Sequence, residues 1–518
     1  MVNWTNEQND IFNFTLESSQ NGVFEAVAGS GKTSTIIEAA KHFKAANPTK
    51  TVRFTAFGNK IAAEIRRKTE GSSVEVTTSH ALGYQAWKQV APNCKLLGGT
   101  GKGGAGLFDR AKISDTTVYK GFTFDEKIEL SQFVEALVEK AKNSGVVILW
   151  EVENRSKYWE LVRKFDLAYL IGSNPWNPGT DDQVEDGITF AIRTIKEHIR
   201  LAYDYMGFVD QLWFPLVFKV LIPKVDLVFG DEAQDFNALQ QILLKLQGHR
   251  IIAVGDSQQA IFGFTGSDNE SLGNLAKQLN ATVLGLTYCF RCPLVAIRYA
   301  QQYNPRIQAH PAAIEGEEYS LTYKELLASA DKLVSTDAIL CRKTAPLVEL
   351  AYTLISRGIA CHVEGRDIGK SLIKFVTKWK RVKTIQDLFD KLDEYSAKQI
   401  ASLTAKGQET QAASLDDKCE TLKVIADSLD PSDSIDTLKV KIESIFADDQ
   451  PNVTLSTIHK AKGREWDRVF WLGQAAYQPS KFARQDWQLE QEDNLCYVAA
   501  TRTKHTLVHV SAKPKDKD

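Results

Sequence analysis

Glu25-Ala26-Val27-Ala28-Gly29-Ser30-Gly31-Lys32-Thr33-Ser34 follows a short apolar run, Val23-Phe24, and leads into a helical pattern of Ile36, Ile37, Ala39 and Ala40. Strand, glycine loop, helix is the order of a phosphate-binding loop. Glycines let backbone N–H groups close around a phosphate, and the following helix N-terminus favours an anion. Ala28, Gly29, Ser30, Gly31, Lys32, Thr33 and Ser34 are therefore the candidate nucleotide-binding segment. Lys32 can reach the β- and γ-phosphates of ATP, and the Thr33 hydroxyl can hold Mg²⁺. Ala26 stands where the common GxxxxGK[ST] pattern wants its first glycine.

The chain has 518 residues, enough for roughly three or four domains. Hydrophobic residues make up 43% and charged residues 25%, which sets it among globular rather than disordered or fibrous chains. A formal net charge of −2 provides no whole-surface field for nucleic acid or an anionic membrane, so a nucleic-acid site has to be a local basic track. The seven cysteines are scattered and read as reduced thiols. Cys289-Phe290-Arg291-Cys292 lacks the second pair a zinc site needs. No apolar run approaches the roughly 18 residues of a membrane helix. The first residues do not read as a signal peptide, so a cytoplasmic location without a membrane partner is expected.

Residues 3–18 read as a helix with Thr5 or Asn6 near its cap and Gln8 in its first turn. Its place ahead of the phosphate loop makes Gln8 a candidate for an adenine edge. Thr51–Phe57 is a strand by its β-branched and aromatic content, and it runs into Gly58-Asn59-Lys60 and a helix. Phe57, Asn59 and Lys60 stand where strand gives way to helix, with Arg66 and Arg67 about two turns on. That mixture of ring and cations suits a single strand of nucleic acid, and it equally suits a core Phe57 with solvated arginines. A second strand-to-helix junction carries Thr78, Ser79 and His80.

The glycine-dense tract 98–106 reads as a loop, because Gly103 follows Lys102 where a metal-binding hydroxyl should stand. Residues 123–204 show helical stripes such as Phe133, Val134, Leu137 and Val138, and then Ile188, Ala191, Ile192 and Ile195. At Val225–Asp235 a mostly apolar strand ends in Asp231-Glu232, as a phosphate-loop ATPase requires. Asp231 can hold Mg²⁺ through water, and Glu232 can act as general base on an attacking water. The next strand, Ile251–Val254, runs into Asp256, Gln258 and Gln259, then Phe262 and Phe264. A glutamine there can orient water beside a γ-phosphate, and the rings can stack bases.

Taken in order, these motifs resemble those of superfamily 1 DNA helicases of the UvrD/PcrA/Rep type and, among eukaryotic relatives, the F-box DNA helicase. Residues 26–33 match the AxxGxGKT form of the phosphate loop, so Ala26 fits that family. Gln8 looks like its Q-motif glutamine. Residues 56–60 are similar to its TFTNK stretch, Thr78-Ser79-His80 to the next DNA-contacting motif, 231–235 to DEAQD and 255–262 to GDxxQxIY. Leu286–Cys292 is similar to LxxNYRS, with Cys289 in place of Asn and Phe290 in place of Tyr. Residues 455–466 resemble TxHxxKGxEF, and 495–502 match YVxxTR.

The resemblance implies an α/β fold with two RecA-like parallel-sheet domains and helical insertions. The first would comprise 1–85 and 200–280 with insertion 86–199. The second would comprise 281–368 and 450–518 with a short insertion, 369–449. ATP is expected in the cleft between them. Lys32, Thr33, Asp231, Glu232 and the sensor Gln259 would lie on one wall; Arg291, Arg502, Glu465 (toward the ribose) and Phe290 (on the adenine) would lie on the other. Phe57, Asn59, Lys60, Thr78, His80, Phe262, Phe264 and His459 would line the DNA path. The implied activity is ATP-driven 3′→5′ movement on single-stranded DNA and unwinding at single-strand/duplex junctions. Ser34 departs from the arginine of close relatives, which weakens base specificity. A translocase that strips proteins without unwinding, and a phosphate-loop switch that is no helicase, are the alternatives.

Overall fold

The computed structural model describes residues 3–97, 124–145, 152–165, 167–171, 179–261, 271–377, 379, 382–405, 409–446 and 453–514. The chain divides into two compact units, one of residues 1–27 and 31–287, the other of 28–30 and 288–518.

The first unit holds, in chain order, β1 (Gly22–Ala26), β2 (Val52–Ala56), β3 (Glu75–Thr78), β4 (Lys95–Leu96), β5 (Tyr205–Met206), β6 (Val225–Gly230), β7 (Gly248–Gly255) and β8 (Thr282–Leu286). Six of these form one sheet in the order β3-β2-β6-β7-β1-β8, every pair parallel. Phe24 of β1 pairs with Val254 and Leu284, and Phe54 of β2 with Val76 and Phe229. β4 and β5 form a separate short parallel pair.

Near-continuous apolar strands suit a sheet covered on both faces. Alternate side chains divide between those faces. Phe24, Phe54, Phe229 and Ile252 pack with Ile11, Ile36 and Ile65 of the helices on one side. Val23, Val228 and Ile251 pack with Phe236, Leu244 and Leu275 on the other. Because the strands are parallel, the segments following β1, β2, β3, β6 and β7 all leave from the same edge, where open α/β sheets bind ligands.

The expected stripes of the helical insertion are realised in helices Phe124–Asn143 and Asp181–Arg200. Phe133, Leu137, Ile188 and Ile195 share one core with Trp87, Trp213 and Leu239 from helices that flank the sheet. The insertion is therefore fused to the sheet domain by a continuous apolar interior.

The second unit holds β9 (Tyr288–Cys289), β10 (Gln308–Ala309), β11 (Glu317–Leu321), β12 (Asp337–Cys341), β13 (Cys361–Val363), β14 (Val453–Thr457), β15 (Trp466–Leu472) and β16 (Thr503–Val510). Its sheet runs β11-β16-β15-β12-β14-β13, again all parallel, with β9 and β10 as a separate pair. Helices Arg366–Thr377, Ile385–Ala405, Glu409–Ala426 and Ile435–Ile445 fill most of the stretch between β13 and β14. Their Leu372, Leu388, Leu392, Leu422 and Leu438 join Ile339 and Leu455 of the sheet in one core. Two six-stranded parallel sheets flanked by helices make the α/β class and the paired RecA-like architecture plain.

Candidate functional site

The loop leaving β1 turns twice through the left-handed region, at Gly29 (φ +70°) and Gly31 (φ +75°), immediately before helix Lys32–Ala46. A side chain at either position is strained, so the loop needs glycine there. Ser30 Oγ is buried with no hydrogen-bond partner among the described residues. A buried hydroxyl without a partner costs free energy, and a phosphate oxygen would satisfy it. Thr33 Oγ1 donates to Asp231 Oδ2 at 2.7 Å, and Lys32 Nζ lies 3.5 Å from Glu232 Oε2. Hydroxyl and carboxylate oxygens are the donors Mg²⁺ takes, and an adjacent lysine suits a polyphosphate, so these residues fit both groups.

Asp231 is fully buried, and burial first, then the Glu232 charge, pushes its carboxyl up to about 7. Its Oδ1 accepts the Glu232 N–H at 2.9 Å. Glu232 has a left-handed backbone (φ +54°), the strained conformation that clusters at functional sites. Gln234 ties this corner to the next loop: its Nε2 donates to Glu232 Oε2 at 2.5 Å and its Oε1 accepts the Asp256 N–H at 3.1 Å. Gln259 Nε2 in turn donates to Asp256 Oδ2 at 2.6 Å. Burial pushes Asp256 up to about 6. Lys32, Thr33, Asp231, Glu232 and Gln259 are thus gathered at one sheet edge.

Gln8 is buried, with its amide N–H donated to Thr35 Oγ1 (3.0 Å) and its Oε1 accepting from the Thr5 backbone in a capping box. A Cβ at Gly31 would stand 3.6 Å from Gln8 Nε2, so Gln8 borders the loop. Ser34 is exposed one residue beyond.

Among the nucleic-acid candidates, Phe57 is half-buried with its ring stacked on Phe236 (centroids 6.5 Å, 24°). Asn59 is exposed at the start of helix Asn59–Lys68, which Lys60 continues. The Thr78 hydroxyl caps helix Ser79–Val90 by accepting the Ala81 N–H at 3.2 Å. His80 stacks on Phe208 (4.1 Å, 22°), and burial pulls its imidazole down to about 4. Phe208 is 65% exposed. Sequence reasoning passed over it, because a lone phenylalanine after Gly207 carries no pattern. Phe262 and Phe264 lie outside the described residues.

In the second unit Arg291 Nε donates to Glu465 Oε2 at 2.6 Å, and Lys504 lies 2.8 Å from the other carboxylate oxygen. Burial works against the charged form of Glu465, but Lys504 and Arg291 outweigh it and hold the carboxyl below its ordinary value. Phe290 is 44% exposed, with one side toward His310 (4.7 Å). Arg502 is buried, its Nε donating to the Val498 carbonyl (2.9 Å) and its Nη2 to Thr501 Oγ1 (2.9 Å). His459 is half-buried beside Arg342 and is pulled down to about 3 by burial, then by that charge.

Residues 8–265 match the family model of the AAA domain, and residues 366–513 that of the UvrD-like helicase C-terminal domain. The F-box DNA helicase protein 1 of Schizosaccharomyces pombe is 23% identical over 542 residues, covering 97% of this chain and 57% of its own. The F-box DNA helicase 1 of Gallus gallus is 24% identical over 556 residues, covering 98% of this chain and 49% of its own. The chain thus spans about half the length of the curated relatives it matches. No helix among the described residues is long and apolar enough to cross a membrane.

Proposed function

We propose that this chain, which belongs to the UvrD-like superfamily 1 helicases, is an ATP hydrolase that drives movement along single-stranded DNA. The observation that supports this most is the meeting of Lys32 and Thr33 with Asp231 and Glu232 at the sheet edge.

In this reading the backbone of Ala28–Gly31 cradles the phosphates, and Lys32 neutralises them. Thr33 and Asp231 hold Mg²⁺, which neutralises charge on the phosphate oxygens. Glu232 takes the proton of the attacking water, oriented with the help of Gln259. Gln8 and Phe290 serve the adenine and Glu465 the ribose; Ser34 borders them. Arg291 and Arg502 stabilise the transition-state charge.

The DNA strand follows Phe57, Asn59, Lys60, Thr78, His80, Phe262, Phe264 and His459, with rings for bases and polar groups for phosphates. Movement is 3′→5′, and single-strand/duplex junctions are opened. The domain bounds given above, 1–85 with 200–280 and 281–368 with 450–518, belong to the same reading, as do the insertions 86–199 and 369–449.

The test is ATP hydrolysis with and without single-stranded DNA, followed by unwinding of duplexes carrying 3′ or 5′ tails. Stimulation together with opening of 3′-tailed duplexes is expected. Stimulation without unwinding would reduce the function to a translocase, and no stimulation would leave a phosphate-loop switch.

A further inference from the structure

Away from the nucleotide loop, the first unit buries a charged group. Lys142 closes helix Phe124–Asn143, His198 lies in the last turn of helix Asp181–Arg200, and Asp210 opens helix Asp210–Val217. They are 3%, 4% and 2% exposed. Lys142 Nζ donates to Asp210 Oδ1 at 2.5 Å and to His198 Nδ1 at 2.7 Å, and it sits 4.4 Å from the centre of the Trp213 ring. With Nδ1 accepting, the neutral imidazole carries its proton on Nε2, an atom buried with no partner among the described residues. Burial and the Lys142 charge together hold His198 well below its ordinary value.

A buried ion pair of this kind is poor value as a source of stability, since apolar side chains of the same volume do as well; its use is to specify a geometry. What it specifies here is visible in the second carboxylate oxygen. Asp210 Oδ2 accepts the Gly207 N–H at 2.8 Å. Gly207 precedes Phe208, the exposed ring that stacks on His80. The helices of the insertion thus hold, through Lys142 and His198, the carboxylate that fixes the root of an exposed ring.

We propose that Lys142, His198 and Asp210 form a positioning device for the Phe208–His80 ring pair, through which the helical insertion sets the affinity of the first unit for single-stranded DNA. The three groups themselves are too buried to touch a DNA strand. The proposal rests on the DNA reading given above.

It is tested by a double-mutant cycle on the full chain, measuring equilibrium binding of an oligo(dT) strand. Lys142→Met should weaken binding about tenfold, part of the 5- to 150-fold that loss of one stacked base is worth. DNA-independent ATP hydrolysis should be unchanged. In a Phe208→Ala background Lys142→Met should change binding less than about twofold, because the ring it positions is gone. Equal losses in both backgrounds would make the group a structural anchor and overturn the proposal. If Lys142→Met fails to fold, Asp210→Asn keeps the volume and one acceptor oxygen and should show the same coupling to Phe208→Ala. A wild-type chain that neither binds oligo(dT) nor is stimulated by it would instead refute the DNA reading. A wild-type chain that binds, with an additive cycle, would refute only the positioning device.

Discussion

Thr33 Oγ1 and Asp231 Oδ2 are joined by a 2.7 Å hydrogen bond across 198 positions of sequence. The bond exists because β1 and β6 are parallel members of one sheet, so the loops at their carboxyl ends share an edge. It brings together the hydroxyl and the carboxylate that a divalent cation would share. The strained Glu232 backbone then turns the neighbouring carboxylate toward Lys32.

Lys32→Ala and Glu232→Gln should each abolish ATP turnover while leaving single-strand binding in place. The first removes the cation that meets the phosphates; the second keeps the shape of the side chain but removes the base. Steady-state hydrolysis and oligo(dT) binding measured side by side check this. Undiminished hydrolysis in either variant would sink the site assignment.

Arg502→Ala should slow hydrolysis by on the order of 10³-fold if the guanidinium acts on transition-state charge. Arg502 also donates to the Val498 carbonyl and Thr501 Oγ1 from a buried position, so its loss leaves acceptors unpaired and weakens the fold. Thermal unfolding must therefore accompany the kinetics. A folded variant slowed less than about tenfold would return Arg502 to a structural role.

Both sheets and the nucleotide loop were legible because their signals are local. Val23-Phe24 ahead of Gly29-Ser30-Gly31-Lys32-Thr33, and Val225–Gly230 ahead of Asp231-Glu232, each combine a buried strand with the chemistry at its end. The helices within 123–204 were legible from their stripes, for example Phe133 and Leu137. Signals assembled from distant residues were not. Phe208 meets His80 only in the fold, and Lys142, His198 and Asp210 are brought together from three different helices. Phe57 was open between core and platform, and its ring is half-buried against Phe236.

The buried histidines should make acid destabilising from near neutrality, while Asp231 and Asp256, raised to about 7 and about 6, offset part of that loss. The imidazoles of His80 and His459 are pulled down to about 4 and about 3 from an ordinary 6.5, and His198 moves the same way. Below 6.5 the unfolded chain binds protons that the folded chain refuses, so stability present above that pH is lost as it falls through the folded values. Because Asp231 and Asp256 titrate in the same window, the check is a difference between chains: from pH 7 to about 5 the melting temperature of His459→Gln should fall less steeply than that of the wild type. An unchanged slope in that variant would mean His459 is not held neutral.

Phe57→Ala should weaken oligo(dT) binding by about 1–3 kcal/mol if the ring stacks a base. A purely internal ring would lower thermal stability and leave affinity alone. Binding and melting of the same variant separate the two.

Two glycine-to-alanine changes in helices of the first unit should have opposite signs. In a helix interior alanine is better than glycine by roughly 1 kcal/mol. At Gly273, in helix Ser271–Leu279, an added Cβ meets nothing within 4 Å, so Gly273→Ala should gain up to that amount. At Gly187, in helix Asp181–Arg200, the Cβ would stand 2.4 Å from Phe133 Cε1 and 3.1 Å from Ile171 Cδ1. Phe133 is fully buried, so its ring has nowhere to retreat, and overpacking of this kind costs about 1–3 kcal/mol. The clash outweighs the propensity, and Gly187→Ala should move the urea midpoint down where Gly273→Ala moves it up. A rise for both would mean that the two insertion helices part to admit the methyl group, and that Gly187 is not what allows their close approach.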